Sequence, residues 1–229
     1  MKTIGLIGGM SWESTIPYYR IINECVKERL GGLHSARIIL YSVEFAELER
    51  CMTSGNWERI AEILGDAASK LENAGADVIL ICTNTMHKLY GKIQERVGVP
   101  IIHIADATAD ELEKQGFRKV ALLGTRFTMT EDFYTARLAE RGFEVVIPKG
   151  DDIELVDKVI FEELCCGIIR ERSRSDYAGI IAKLKDEGAE AVILGCTEIG
   201  LLIRQEDSVL PAFDTTEIHA RSAAEFALS

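Results

Sequence analysis

The sequence predicts an α/β protein made of two similar halves, each built on a mainly parallel sheet. Three observations carry this. Short apolar runs, rich in Ile, Val and Leu, alternate with longer amphipathic stretches. The runs are apolar almost throughout, the mark of strands covered on both faces. Finally, the chain repeats itself at long range.

Strands are expected at Ile4–Ile7, Ile38–Tyr41, Val78–Ile81 and Ile101–Ile104, each bounded by Gly, Pro or polar residues. Val120–Leu123, Val145–Ile147 and Val192–Leu194 continue the series, and Val209–Phe213 closes it. Helices are expected between them at Thr15–Leu30, Asn56–Ala74, Met86–Val97, Asp106–Gln115, Thr130–Glu140, Ile153–Cys165, Ser175–Glu187 and Thr216–Leu228. Pro17 then falls in a first helical turn, which tolerates it.

An offset of 116 residues carries Lys2-Thr3-Ile4-Gly5-Leu6-Ile7-Gly8 onto Arg118-Lys119-Val120-Ala121-Leu122-Leu123-Gly124, and Tyr18 onto Tyr134. An offset of 113 carries Leu71-Glu72-Asn73-Ala74-Gly75-Ala76-Asp77-Val78 onto Leu184-Lys185-Asp186-Glu187-Gly188-Ala189-Glu190-Ala191. Helix–strand units of α/β proteins resemble one another in general, but two separated segments at nearly one offset favour a duplicated half. The expected division is 1–100 with 210–229, and 101–209.

Composition narrows the function. The 229 residues hold 26 Lys and Arg against 37 Asp and Glu, a formal charge of −11, which argues against a nucleic-acid partner. No apolar run is long enough to span a membrane. The start has neither an apolar core nor a cleavage site of a secretory signal, so a cytoplasmic protein is expected. The six cysteines form no C-x-x-C pair and the four histidines stand apart, so no metal is expected. Gly8-Gly9-Met10-Ser11 is not a dinucleotide fingerprint, and no cofactor is expected. It is either a tight strand–helix turn or a substrate contact through Met10 and Ser11.

Read onward, the second repeat sets Cys82 against Gly195, Thr83 against Cys196, Asn84 against Thr197 and Thr85 against Glu198. Both segments leave a buried strand, where open α/β sheets bind ligands. A helix start there suits a carboxylate and favours a thiolate. The partner of Cys196 is therefore Thr83. Cys82, one residue earlier, points to the other face and is expected to be buried and structural. The first repeat matches Thr125 to Gly9, which makes Thr125 a further candidate. Arg50, Arg126 and Lys158 are candidate partners for a side-chain carboxylate.

Gly5-Leu6-Ile7-Gly8-Gly9-Met10-Ser11, Cys82-Thr83-Asn84-Thr85-Met86-His87 and Gly195-Cys196-Thr197-Glu198-Ile199-Gly200 together resemble the aspartate/glutamate racemase family of cofactor-independent amino-acid racemases. The resemblance covers the whole chain. It implies two pseudo-symmetric Rossmann-like lobes with the active site in the cleft between them. It also implies a homodimer and a C-terminal helix returning to the first lobe. The usual first motif is Cys-Asn-Thr, so the first catalytic cysteine falls on Thr83. The Thr/Cys pair resembles a subgroup with preference for the L-enantiomers. Glu198 stands where glutamate racemases carry His. Met52 enters as a substrate contact through the family alone. A Lys commonly precedes the glycine matched by Gly167, where this chain has Cys165-Cys166.

The resemblance implies interconversion of L- and D-aspartate or glutamate, with Thr83 and Cys196 as the catalytic pair. Asn84, Thr85 and Thr197 would bind the α-carboxylate, and Glu198 the ammonium group or the thiol. His87 is expected to cap or pack. Two further readings remain at this stage. One is a decarboxylase or isomerase of small dicarboxylates using Cys196 alone, and the other a non-catalytic two-lobe amino-acid binder.

Overall fold

The computed structural model describes residues 1–229. It divides into two compact units, Met1–His103 with His219–Ser229, and Ile104–Ile218.

The first unit contains β1 (Thr3–Gly8), α1 (Trp12–Leu30), β2 (Arg37–Ser42), α2 (Phe45–Thr53), α3 (Trp57–Asn73) and β3 (Val78–Ile81). A 3-10 turn at Thr85–Leu89, α4 (Tyr90–Gln94) and β4 (Ile101–Ile102) follow, and helical residues from His219 onward complete it. Its strands are parallel in the order β2-β1-β3-β4.

The second unit contains α5 (Ile104–Gln115), β5 (Lys119–Gly124), α6 (Arg126–Thr130), α7 (Asp132–Glu140), β6 (Glu144–Val146) and α8 (Asp151–Glu162). After a 3-10 turn at Leu164–Cys166 come α9 (Glu171–Asp186), β7 (Ala191–Gly195), α10 (Ile199–Leu202), β8 (Ala212–Asp214) and the first residues of α11 (Thr215–Leu228). Its parallel order is β6-β5-β7-β8. No helix is long and apolar enough to cross a membrane.

The repeat is visible bond by bond. Ile4 pairs with Val78 in the first sheet and Val120 with Ala191 in the second, the partners that the two offsets connect. Asp77 N–H donates to the Thr3 carbonyl at 2.8 Å, and Glu190 N–H to that of Lys119 at 2.8 Å. Each acid also returns a carboxylate oxygen to the same strand start, Asp77 to Thr3 N–H at 2.6 Å and Glu190 to Lys119 N–H at 2.9 Å. Gly75 and Gly188 turn the preceding helix into the strand at φ +94° and +93°, where a side chain would be strained.

Side chains alternate across the sheets as a period of two requires. Val120, Leu122, Ala191 and Ile193 pack with Tyr134 and Leu138 on one face of the second sheet. Ala121, Leu123, Val192 and Leu194 pack with Tyr177, Ile180 and Ile181 on the other. In the first unit Ile4, Leu6, Val78 and Leu80 pack with Tyr18, Ile22 and the alanines 220, 223, 224 and 227 of α11. Small residues on α11 let the helix approach the sheet closely.

Several boundaries differ from the sequence reading. Ile101–Ile102 pairs with β3 and so lies in the first sheet, while Ala212–Asp214 pairs with β7 in the second. The second unit therefore runs from Ile104 to Ile218 rather than over 101–209. Such short strands carry too little pattern to assign by periodicity. The α1 helix starts at Trp12, so Pro17 lies in its second turn. The α2 helix had no counterpart, although Phe45, Leu48 and Met52 follow a helical spacing and the Glu44 carboxylate caps Ala46 and Glu47 N–H. The helix expected over Met86–Val97 is a 3-10 turn followed by one short α-turn, and that expected over Thr130–Glu140 breaks at Glu131.

Candidate active site

In the first unit the ladder outlasts β3 by one residue, as Cys82 N–H donates to the Ile7 carbonyl at 2.9 Å. Cys82 is fully buried in the core, and burial pushes its thiol up. The chain then turns sharply, with Thr83 N–H on the Ile81 carbonyl at 2.8 Å. Thr83 is 8% exposed, and Asn84 and Thr85 are also buried. The Thr83 carbonyl accepts from His87 Nδ1 at 2.8 Å.

The turn after β1 is a built structure. Gly9 has φ +89°, and a Cβ there would strike Val43 and Ser42. Thr15 Oγ1 accepts from Gly9 N–H at 2.9 Å and donates to the Ser11 carbonyl at 2.8 Å. Met10 and Ser11 are buried in this turn. Met52 is buried on α2, the helix that the sequence reading did not foresee.

In the second unit β7 ends at Gly195, where Cys82 would stand by repeat. A Cβ at Gly195 would lie 2.6 Å from Leu122 Cδ1 and 2.7 Å from the Leu123 carbonyl. Only glycine lets β7 pass β5 at this spacing. Cys196 follows, 7% exposed, and its Sγ–H donates to Glu198 Oε2 at 2.9 Å. Thr197 Oγ1 donates to the same oxygen at 3.0 Å. Thr216 Oγ1 donates to the Thr197 carbonyl at 3.3 Å and Thr215 Oγ1 to that of Leu194 at 2.8 Å, so the start of α11 braces the strand end. Thr125 caps α6, accepting from Thr128 N–H at 3.3 Å, and is buried.

The expected lowering of the Cys196 thiol is overturned. Burial first, and the Glu198 charge next, hold it well above the ordinary thiol range. The Glu198 backbone N–H works in the opposite direction but more weakly. The helices that follow the two strand ends span only Thr85–Leu89 and Ile199–Leu202. One turn supplies little macrodipole, so burial wins. Among the cations, Arg126 pairs with Glu154 at 3.5 Å and Lys158 with Glu162 at 3.8 Å.

The two units thus share one topology and each carries a hydroxyl-rich strand end, with Thr83 on the first and Cys196 on the second. The model of a family described as Asp/Glu/Hydantoin racemase matches residues 7–223. The chain belongs to this family. It is thereby a racemase, an isomerase. The crystal structure of an Asp/Glu racemase candidate from Yersinia pestis is 54% identical, covers 100% of both chains and superposes with a TM-score of 0.92. That of an aspartate racemase homologue from Pyrococcus horikoshii is 41% identical over 100% of both chains, with a TM-score of 0.86. A broad specificity amino-acid racemase from Bacillus subtilis is 26% identical over 96% of this chain and 95% of its own length.

One group near Thr83 escaped the sequence reading. His87, His103 and His219 converge with Tyr18 and Tyr90 in the first unit. Tyr18 and His219 are 201 residues apart, so no local spacing announces the cluster.

Proposed function

We propose that this racemase interconverts L- and D-aspartate or glutamate by two-base transfer of the α-proton, with Cys196 and Thr83 as the pair. The observation that carries the reading is the Cys196–Glu198 hydrogen bond, at the position that the repeat matches to Thr83. Inversion needs a base on one face of the α-carbon and an acid on the other, and the proposal assigns one to each unit.

Cys196 rests as a thiol. Glu198 accepts its proton as the thiolate takes the α-proton. The Thr83 hydroxyl protonates the carbanion from the other face and recovers its proton from solvent. The α-proton restores the thiol, and Glu198 releases the proton that it holds to solvent, balancing the one that Thr83 recovers. Asn84, Thr85 and Thr197 stabilise the charge that develops on the α-carboxylate. Met10, Ser11, Met52 and Thr125 contact the remainder of the substrate. No cofactor takes part in this scheme.

A threonine is a far weaker acid than a thiol, so Thr83 donates more readily than its alkoxide abstracts. Enantiomers have equal free energy, so the two directions share one kcat/KM. Asymmetry then resides in kcat and KM separately, or in α-proton exchange without inversion.

The proposal extends to a cytoplasmic homodimer. Trp12, Ile16 and Tyr19, 62%, 57% and 59% exposed, form one apolar stripe along α1, which supports self-association.

The test follows each pure enantiomer in D2O by circular dichroism and by NMR at the α-carbon. Loss of optical activity with deuterium incorporation is expected. Carbon dioxide release with deuterium in a decarboxylated product and none in recovered amino acid, or binding with neither, would replace the reading.

A further inference from the structure

We propose that His87 is a positioning residue for Thr83, acting on the Thr83 half of the reaction and not on the Cys196 half. The inference rests on the assignment of Thr83 and Cys196 above.

The Thr83 carbonyl stands beyond the ladder, since β4 pairs with β3 only at Ile79 and Leu80. A buried carbonyl needs a donor. His87 Nδ1 supplies it at 2.8 Å, while His87 N–H closes the same turn on the Asn84 carbonyl at 3.0 Å. Because a carbonyl only accepts, the contact places a proton on Nδ1.

The ring is itself held. It packs on His103 with centroids 4.5 Å apart and on His219 at 5.8 Å, and His103 packs on Tyr90 at 4.9 Å. His87, His103 and His219 are all buried. His219 Nε2 donates to the Ile102 carbonyl at 2.9 Å, so its Nδ1 carries the lone pair and accepts from Tyr18 O–H at 2.9 Å. Four segments of the first unit, α1 through Tyr18, the end of β4 through Ile102 and His103, α4 through Tyr90 and α11 through His219, therefore converge on the turn that carries Thr83. The Cys196 turn is held by a different set, Glu198, Thr215 and Thr216 of the second unit.

A misplacement of about 1 Å costs up to about 100-fold in rate. Loss of the Nδ1 donor should thus slow inversion while the carbanion still returns to Cys196. The experiment compares the whole chain with His87→Asn, whose amide N–H falls near the Nδ1 position, and with His87→Gln and His87→Leu, which place no donor there. Inversion is read by circular dichroism, and deuterium incorporation with retention by NMR. Expected are a drop of about 10- to 100-fold in the kcat of inversion for Gln and Leu, KM held within about threefold, exchange with retention preserved, and substantial rescue by Asn. Gln keeps the variant polar and of similar size, so the comparison survives if Leu does not fold. Parallel loss of exchange and inversion, unchanged inversion, or Asn no better than Gln would overturn the positioning role. Absence of exchange in the wild-type chain would instead overturn the assignment of Thr83 and Cys196, and this inference with it.

Discussion

Glu198 Oε2 lies 2.9 Å from Cys196 Sγ and accepts a second hydrogen bond from Thr197 Oγ1. A carboxylate so placed has opposed effects on the thiol. It offers the proton a destination, and its charge disfavours the thiolate.

Glu198→Gln separates these effects. Without the negative charge the thiol should titrate lower, so iodoacetamide should alkylate Cys196 faster at a given pH. Without the proton acceptor, racemisation should fall by about 10- to 100-fold. Alkylation profiles and kcat measured on one preparation check this. Both rates moving together would mean that Glu198 serves only the thiol's ionisation.

Thr83→Cys should raise inversion by about tenfold or more, because a thiol exchanges protons with carbon more readily than a hydroxyl. Thr83→Val should stop inversion and leave exchange with retention. Polarimetry beside deuterium NMR distinguishes the outcomes, and a Cys variant no faster than wild type counts against Thr83 as the limiting group.

Acid should weaken the first unit. Burial lowers His219 from the ordinary 6.5 to about 3. The folded chain therefore keeps it neutral where the unfolded chain protonates it. The stabilisation is complete above pH 6.5 and drains as pH falls toward 3. Urea midpoints measured across that window should decline, and the decline should be shallower in His219→Gln, which has no group to titrate.

The stripe of Trp12, Ile16 and Tyr19 should be buried by self-association. Sedimentation velocity should give a dimer for the wild-type chain and a monomer for Ile16→Glu. A wild-type chain that sediments as a monomer would remove the dimer from the account.

Much of the fold was legible because it was written twice. The two offsets relate Ile4 to Val120 and Val78 to Ala191, and the structure pairs these residues alike in two sheets of corresponding order. The repeat singled out Thr83, and strand alternation foretold the burial of Cys82 beside it. What stayed hidden depends on distance and burial. The state of the Cys196 thiol is set by desolvation and by Glu198, which a motif does not weigh. The Tyr18–His219–His87 cluster joins residues up to 201 positions apart. The boundaries near 101 and 210 turn on strands of two and three residues.

Deuterium incorporation at the α-carbon by the Cys196→Ala variant tests the central claim most directly. With L- and D-aspartate or glutamate in D2O, the wild-type chain should incorporate deuterium and the variant should not, while retaining its fold by circular dichroism. Incorporation by folded Cys196→Ala at the wild-type rate would contradict the account.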